Sequence, residues 1–278
     1  MAWRARAGRL RPFPRPPNLD YLARARRPRS TPHSGVMGTG QGCVFCGRKP
    51  LTKQHIFPNW MRKHLPDPGP GTYRRKTGVE PRESAYRGSP VASQVRVVCA
   101  SCNNGWMERL ETDARPYLTS MVVGNGREFH DTGRTLIAGW AFLTTLMIGT
   151  TLRVKPPPPE YYTRFYEDEE RSLPEGAVVW FGASATGLMH YQQMRCVTYD
   201  LDDQTQSDGW MTMLSVGRMA VHAVWLHVGE RATLQVRGRL AEALRQVWPI
   251  EGRAIWPPGL LLDEDRMDSI CNSYGGAY

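Results

Sequence analysis

Two Cys-x-x-Cys pairs, Cys43 with Cys46 and Cys99 with Cys102, are separated by a long intervening stretch, and together they constrain the fold more than any other feature. A Cys-x-x-Cys turn aims two sulfurs at one point. Two such turns brought together supply the four thiolates of a closed tetrahedral zinc site, so the spacing predicts that two distant stretches of backbone meet. A zinc held this way is structural and offers no open position. Chemistry must then lie beside it. Lys53-Gln54-His55-Ile56-Phe57-Pro58 sits between the pairs, and Asn103-Asn104 follows the second pair directly. Paired Cys-x-x-Cys turns also occur as plain zinc ribbons in binding proteins, and the nearby histidine and asparagine are what shift the reading toward a reactive site.

Six cysteines in 278 residues are too sparse for a disulfide framework, and four of them have metal-type spacing. This predicts a reducing compartment and cytoplasmic localisation, with Cys196 and Cys271 as unpaired thiols. The net charge of +10 is unevenly spread. Residues 1–36 hold nine Arg against Asp20 alone, residues 37–115 carry +7, and residues 116–278 carry −5. Clustered positive charge of this kind draws phosphate backbones, so the N-terminal third is the part expected to meet a polyanion. Residues 1–36 mix Arg, Pro and Ala with no apolar period and read as a disordered basic tail. A nucleic-acid-tracking arm, a transit-like presequence and an extension upstream of a working start at Met37 all fit that composition.

The remaining chain divides at about position 118. Residues 37–118 form a first unit that holds both cysteine pairs. Within it, Pro66 to Gly71 is a loop, and the stretch to Pro90 lacks either structural period and reads as a mobile insertion. Gln94 to Val98 alternates as a strand should, and Trp106 to Leu118 has helical spacing, with Trp106, Leu110 and Leu118 facing inward. Residues 119–278 form an α+β unit of underived role. Thr135 to Leu152 carries no charge over eighteen residues, but five threonines and two glycines dilute it, so a buried helix is expected rather than a membrane span. After Pro156 to Pro159, strands are expected at 177–183, 190–199, 210–216 and 219–228, with Gly217-Arg218 as a tight hairpin turn. A short amphipathic helix is expected at 239–247, and regular structure should end at the Trp-Pro steps 248 and 256. His64, His190, His222 and His227 show no ligand spacing, and the acidic run at 167–170 reads as a solvated loop.

In order, then, the chain presents Cys-x-x-Cys, Leu51-Thr52, His55-Ile56-Phe57-Pro58, Trp60, a strand, and Val98 through Met107 with its Cys-x-x-Cys-Asn-Asn-Gly-Trp-Met pattern. This arrangement resembles the HNH endonuclease family over residues 43–111, roughly a quarter of the chain. The resemblance implies a ββα-metal fold ahead of a helix and mostly antiparallel C-terminal sheet. It implies DNA as substrate, His55 as the general base that activates water, and Asn103 as ligand of a catalytic Mg2+ or Mn2+ ion. An imidazole, with its ordinary pKa near ~6.5, suits the base role. Arg74, Arg75 and Lys76 would hold flanking phosphates, and no membrane partner is expected.

Three positions depart from the family pattern. Gln54 stands where most members carry a metal-binding carboxylate, Gln94 stands where the middle Asn is expected, and Trp106 replaces a basic residue. Magnesium favours carboxylate oxygens, so Gln54 weakens that site, and Glu108 on the following helix is a candidate substitute. Asn103 has a second possible role as the cap of that helix. A zinc-knuckle nucleic-acid-binding or scaffold protein that has lost catalysis is the alternative reading of the same residues.

Overall fold

Leu51–His55 (β1) pairs antiparallel with Gln94–Cys99 (β4), so that Leu51 lies opposite Cys99 and His55 opposite Gln94, with a register irregularity between Thr52 and Gln54. This computed structural model describes residues 42–65, 72–75, 84–87, 92–151, 157–168, 172–199, 206–226 and 240–272, with backbone alone for several strand residues. The β1 strand runs through Ile56, Phe57 and Pro58, all buried, into a 3₁₀ helix at Asn59–His64. Thr72–Arg75 (β2) and Ser84–Arg87 (β3) pair antiparallel as a ribbon, where an insertion without regular structure was expected. Neither segment has the apolar alternation that marks a half-buried strand, which is why the sequence gives no sign of it. The flanking loop at 66–71 and the tail at 1–36 lie outside the described residues.

Beyond β4 the chain turns helical at once. Ala100–Cys102 (α1) leads through a π-helical turn at Asn103–Met107, kinked at Gly105, into Glu108–Val123 (α2). Trp106, Leu110 and Leu118 are buried as their spacing predicts. Position 118 falls inside α2, which packs on α3.

Arg127–Phe129 (β5) precedes the apolar helix Asp131–Gly149 (α3), which is buried continuously from Ile137 to Gly149. Among the described residues no helix is long and apolar enough to cross a membrane. The helix begins earlier than its uncharged stretch suggests, and this brings Arg134 inside at 1% exposure. Its guanidinium donates to the carbonyls of Gln246, Glu251 and Gly252 at 3.3, 2.9 and 2.8 Å. A buried cation needs partners for its donors; here the two terminal nitrogens find three carbonyls while Nε has none among the described residues, and the contacts clamp α3 to the Gln246 strand and the loop after it. Pro159–Glu167 (α4) follows, with proline in its first turn where no N–H is needed.

The main sheet is antiparallel along its path. Ala177–Ser184 (β6), His190–Tyr199 (β7), Gln206–Val216 (β8) and Met219–Leu226 (β9) fall close to the expected segments. A short helix at Leu240–Ala243 (α5) gives way to a strand at Leu244–Trp248 (β10), so the strand order is β10-β6-β9-β8-β7. The helix expected over 239–247 is therefore largely replaced. Leu244 and Val247 are buried, and β6 offers an open edge for pairing, so tertiary contact overrides a helical local pattern. Ala254–Trp256 (β11) pairs with β5, and Leu261–Leu262 (β12) runs parallel beside the far end of β6. Glu264–Asn272 (α6) closes the described chain.

Both sheet faces are covered, so β6 and β9 are buried at every position and their sequences lack alternation. One face joins Val179, Phe181, Trp210, Val221 and Trp225 to α3 and to the cysteine knuckle in a single core. The other face packs Trp180, Met213 and Val224 against Leu262, Met267 and Ile270. The architecture is α+β with an antiparallel sheet.

Candidate metal centre and the adjoining histidine

The first knuckle is a turn whose backbone closes on itself, with Gly47 N–H donating to the Cys43 carbonyl and Cys43 N–H to the Arg48 carbonyl. Gly47 adopts φ +72°, a left-handed conformation that a side chain would disfavour. Val44 N–H donates to the Val97 carbonyl, which lays the turn along β4. The second knuckle needs no such turn. Cys99 ends β4 in extended conformation and Cys102 lies in the first helical turn after it, so the strand-to-helix junction itself aims both sulfurs.

All four sulfurs lie within 4.8 Å of one another, and Cys46 Sγ is 3.5 Å from both Cys99 Sγ and Cys102 Sγ. Zinc–sulfur bonds of about 2.3 Å in a tetrahedron put sulfurs about 3.8 Å apart, so the spacing fits a four-thiolate ion. Among the described residues this is the group that could hold a metal. Burial pushes the Cys43 and Cys102 thiols up. Burial also raises Cys46, but Arg48, which donates to its sulfur at 3.4 Å, helps bring it down to about 6. A divalent cation would ease the conflict, because it favours the deprotonated sulfurs and offsets half of the charge that burial opposes.

Arg48 is a site residue that the motif spacing does not single out. It also donates to the Tyr166 hydroxyl at 3.3 Å, so one side chain ties the knuckle to α4. Its place directly after Gly47 was the available signal. Aromatic rings continue the brace inward: Phe45 meets Trp106 edge-on at 5.0 Å, Trp106 meets Phe165 at 5.8 Å, and Phe165 meets Phe142 of α3 at 5.2 Å.

His55, at the end of β1, is half-buried, and its Nε2 lies 2.8 Å from Gln94 Nε2 across the ladder. Gln94 is thus the imidazole's neighbour. Asn103 does not cap the helix: no side-chain cap bond forms there. Its carboxamide nitrogen donates instead to Thr52 Oγ1 at 3.2 Å and to the Lys53 carbonyl at 3.3 Å, while the Thr52 hydroxyl donates to the Val98 carbonyl. The π turn carries Asn103 toward β1 while Trp106 and Met107 go into the core.

Gln54 is 8% exposed, between an exposed Lys53 and the half-buried His55. Arg74 and Arg75 lie on β2 with their side chains outside the described residues, as is all of Lys76. Glu108 is exposed, and Glu111, half-buried beside it, has a carboxyl raised by burial and then by Glu108 to about 7. Neither has a described contact with His55 or Asn103. Cys196 and Cys271 lie outside the described side chains. No family model, curated protein or solved structure matches this chain.

Proposed function

We propose that this protein is an HNH-type endonuclease that hydrolyses DNA phosphodiester bonds, with His55 as general base and a four-thiolate zinc as scaffold. The observation that carries this reading is the convergence on β1: His55 at its end meets Gln94, and Asn103 grips its backbone two residues earlier. The four sulfurs pin the same strand pair to the helix that carries Asn103. A ββα-metal module would be built from β1, β4 and α2.

For His55 to accept a proton from water at Nδ1, its Nε2 must carry the other proton and donate it. That tautomer requires the Gln94 carboxamide to be flipped end for end, so that its oxygen rather than its nitrogen faces Nε2 and accepts the hydrogen bond from it. Asn103, with both described bonds made by its nitrogen, keeps its oxygen for a cation, a water or the substrate. The donors for a resident magnesium or manganese are poor. Asn103 and Gln54 are neutral, and among the described residues no acidic cluster adjoins them. A hard cation favours carboxylates, so this set does not fit a tightly held ion.

The neutral Gln54 also supports the second reading, a zinc-knuckle protein that binds nucleic acid without cutting it. One assay separates the two. Plasmid nicking is measured with Mg2+ or Mn2+ for the parent, His55→Ala and Gln54→Glu proteins. Base catalysis predicts that His55→Ala loses about 10²-fold or more of the rate. Equal rates in parent and His55→Ala reject the mechanism, and cleavage only in Gln54→Glu establishes the binding-protein reading.

A further inference from the structure

The 3₁₀ helix that follows His55 ends in Arg62, Lys63 and His64, and it packs on α2. Arg115 of α2 lays its guanidinium over the Trp60 ring, 5.4 Å from the centroid, and His64 meets the same ring edge-on at 6.1 Å. Arg62, Lys63 and Arg115 are exposed. The described ion pairs lie elsewhere, at Arg134–Asp131, His190–Asp268, Arg253–Glu128 and Arg266–Asp263. Glu111 stands one helical turn before Arg115, the usual place for a neutralising partner. Arg115 turns to Trp60 instead, and the Glu111 carboxyl is raised by its burial and by Glu108. The crowding of positive charge is felt by His64, which burial first and then Lys63 and Arg115 hold below the ordinary imidazole value.

We propose that Arg62, Lys63 and His64 of the 3₁₀ helix that carries Trp60, together with Arg115 over that ring, form a docking surface for the phosphate backbone of a nucleic acid. A cluster of exposed cations without acidic partners is the electrostatic footprint of such a partner. The large apolar side chains that are exposed, Val123, Leu188, Ile255 and Leu261, lie off this patch, so it has no wedge to sink into a lipid surface. Its distance from the candidate site is also suitable. Three extended residues and a six-residue 3₁₀ helix place Lys63 no more than about 22 Å from His55, or about six base-pair rises along DNA. The choice of nucleic acid as the polyanion rests on the reading of His55, whereas the charge cluster stands without it.

The test uses the full chain in a His55→Ala background, so that no cleavage consumes the probe. Binding of a short fluorescein-labelled DNA duplex is followed by anisotropy as NaCl is raised, without added divalent cation. The Lys63→Gln/Arg115→Gln protein should bind ~10-fold more weakly and lose about 2 from the slope of log affinity against log salt. An Arg253→Gln/Arg266→Gln protein, with the same net charge, should keep the parental slope. Equal slopes in the two variants would overturn the proposal. So would patch-dependent binding to phosphatidylserine vesicles with none to the duplex. Loss of duplex binding in the patch variant supports the surface even if the parent cuts nothing, whereas cutting by the parent with unchanged binding removes the surface alone.

Discussion

At the scale of single residues, the buried ionisable side chains set how the fold answers to pH. His222 of β9 is wholly enclosed, stacked on Trp180 at 5.5 Å, with Nδ1 3.3 Å from the Thr212 carbonyl. Burial pushes its pKa down to about 4 against a smaller opposing effect of that carbonyl. In the unfolded chain the same imidazole titrates near ~6.5, so between these values the unfolded state takes up a proton that the folded state refuses. The folded state has its full advantage above about pH 6.5 and loses roughly 2 kcal/mol by pH 5 from this group. Thiolates bound to metal also protonate in acid, so the informative quantity is a difference between proteins. His222→Phe should show a fall in urea-unfolding stability between pH 7 and pH 5 that is smaller by about that amount. Parallel pH dependences would mean that His222 does not govern the acid response.

At the scale of elements, the hairpin between β8 and β9 joins three parts of the fold. Gly217 and Arg218 form its two-residue turn, Arg218 N–H donates to the Val122 carbonyl at the end of α2, and Ser184 N–H donates to the Arg218 carbonyl. Gly217 has φ +58°, and a Cβ there would stand 2.5 Å from the Val122 oxygen. Gly217→Ala should therefore cost about 2–4 kcal/mol, combining a left-handed backbone penalty with a backbone overlap that α2 cannot relieve. Gly217→Asn tolerates the dihedral but not the overlap, so it should recover less than about 1 kcal/mol in urea unfolding. Full recovery would assign the cost to the turn alone. The turn was legible in the sequence because its requirement is local. β10 was not, since a segment read as helix becomes a strand when β6 presents an open edge.

At the scale of the whole molecule, the four-cysteine cluster braces more than its own module. Phe45, Trp106, Phe165 and Phe142 connect the knuckle to α3, and one core extends from Cys43 to Trp256. An open cleft of about 550 Å³ beside Cys43 and Cys46, lined also by Arg48 and Tyr166, gives reagents a way in. Purified protein should carry about one zinc per chain, released by a thiol-reactive reagent. Cys102→Ser should abolish retention and lower the unfolding midpoint, because the remaining buried thiols lose the cation that holds them together. Trp106 fluorescence should report the loss. A zinc-free protein of unchanged stability would reduce the four-cysteine cluster to ordinary core packing.

The sequence by itself determined what short-range chemistry dictates: two Cys-x-x-Cys turns able to share an ion, regular structure ending at the Trp-Pro steps, and a buried helix ending before the proline run. His55 and Asn103 were legible as candidates because each stands at a fixed offset from a feature of that kind. What they touch was settled only in three dimensions. Gln94 reaches His55 through strand register, Asn103 bonds to Thr52 and Lys53 through a π turn, and Arg134 finds three carbonyls more than a hundred residues away. Such contacts depend on which surfaces remain to be buried and which backbone groups remain unpaired once the elements pack, and no local window of sequence contains that information.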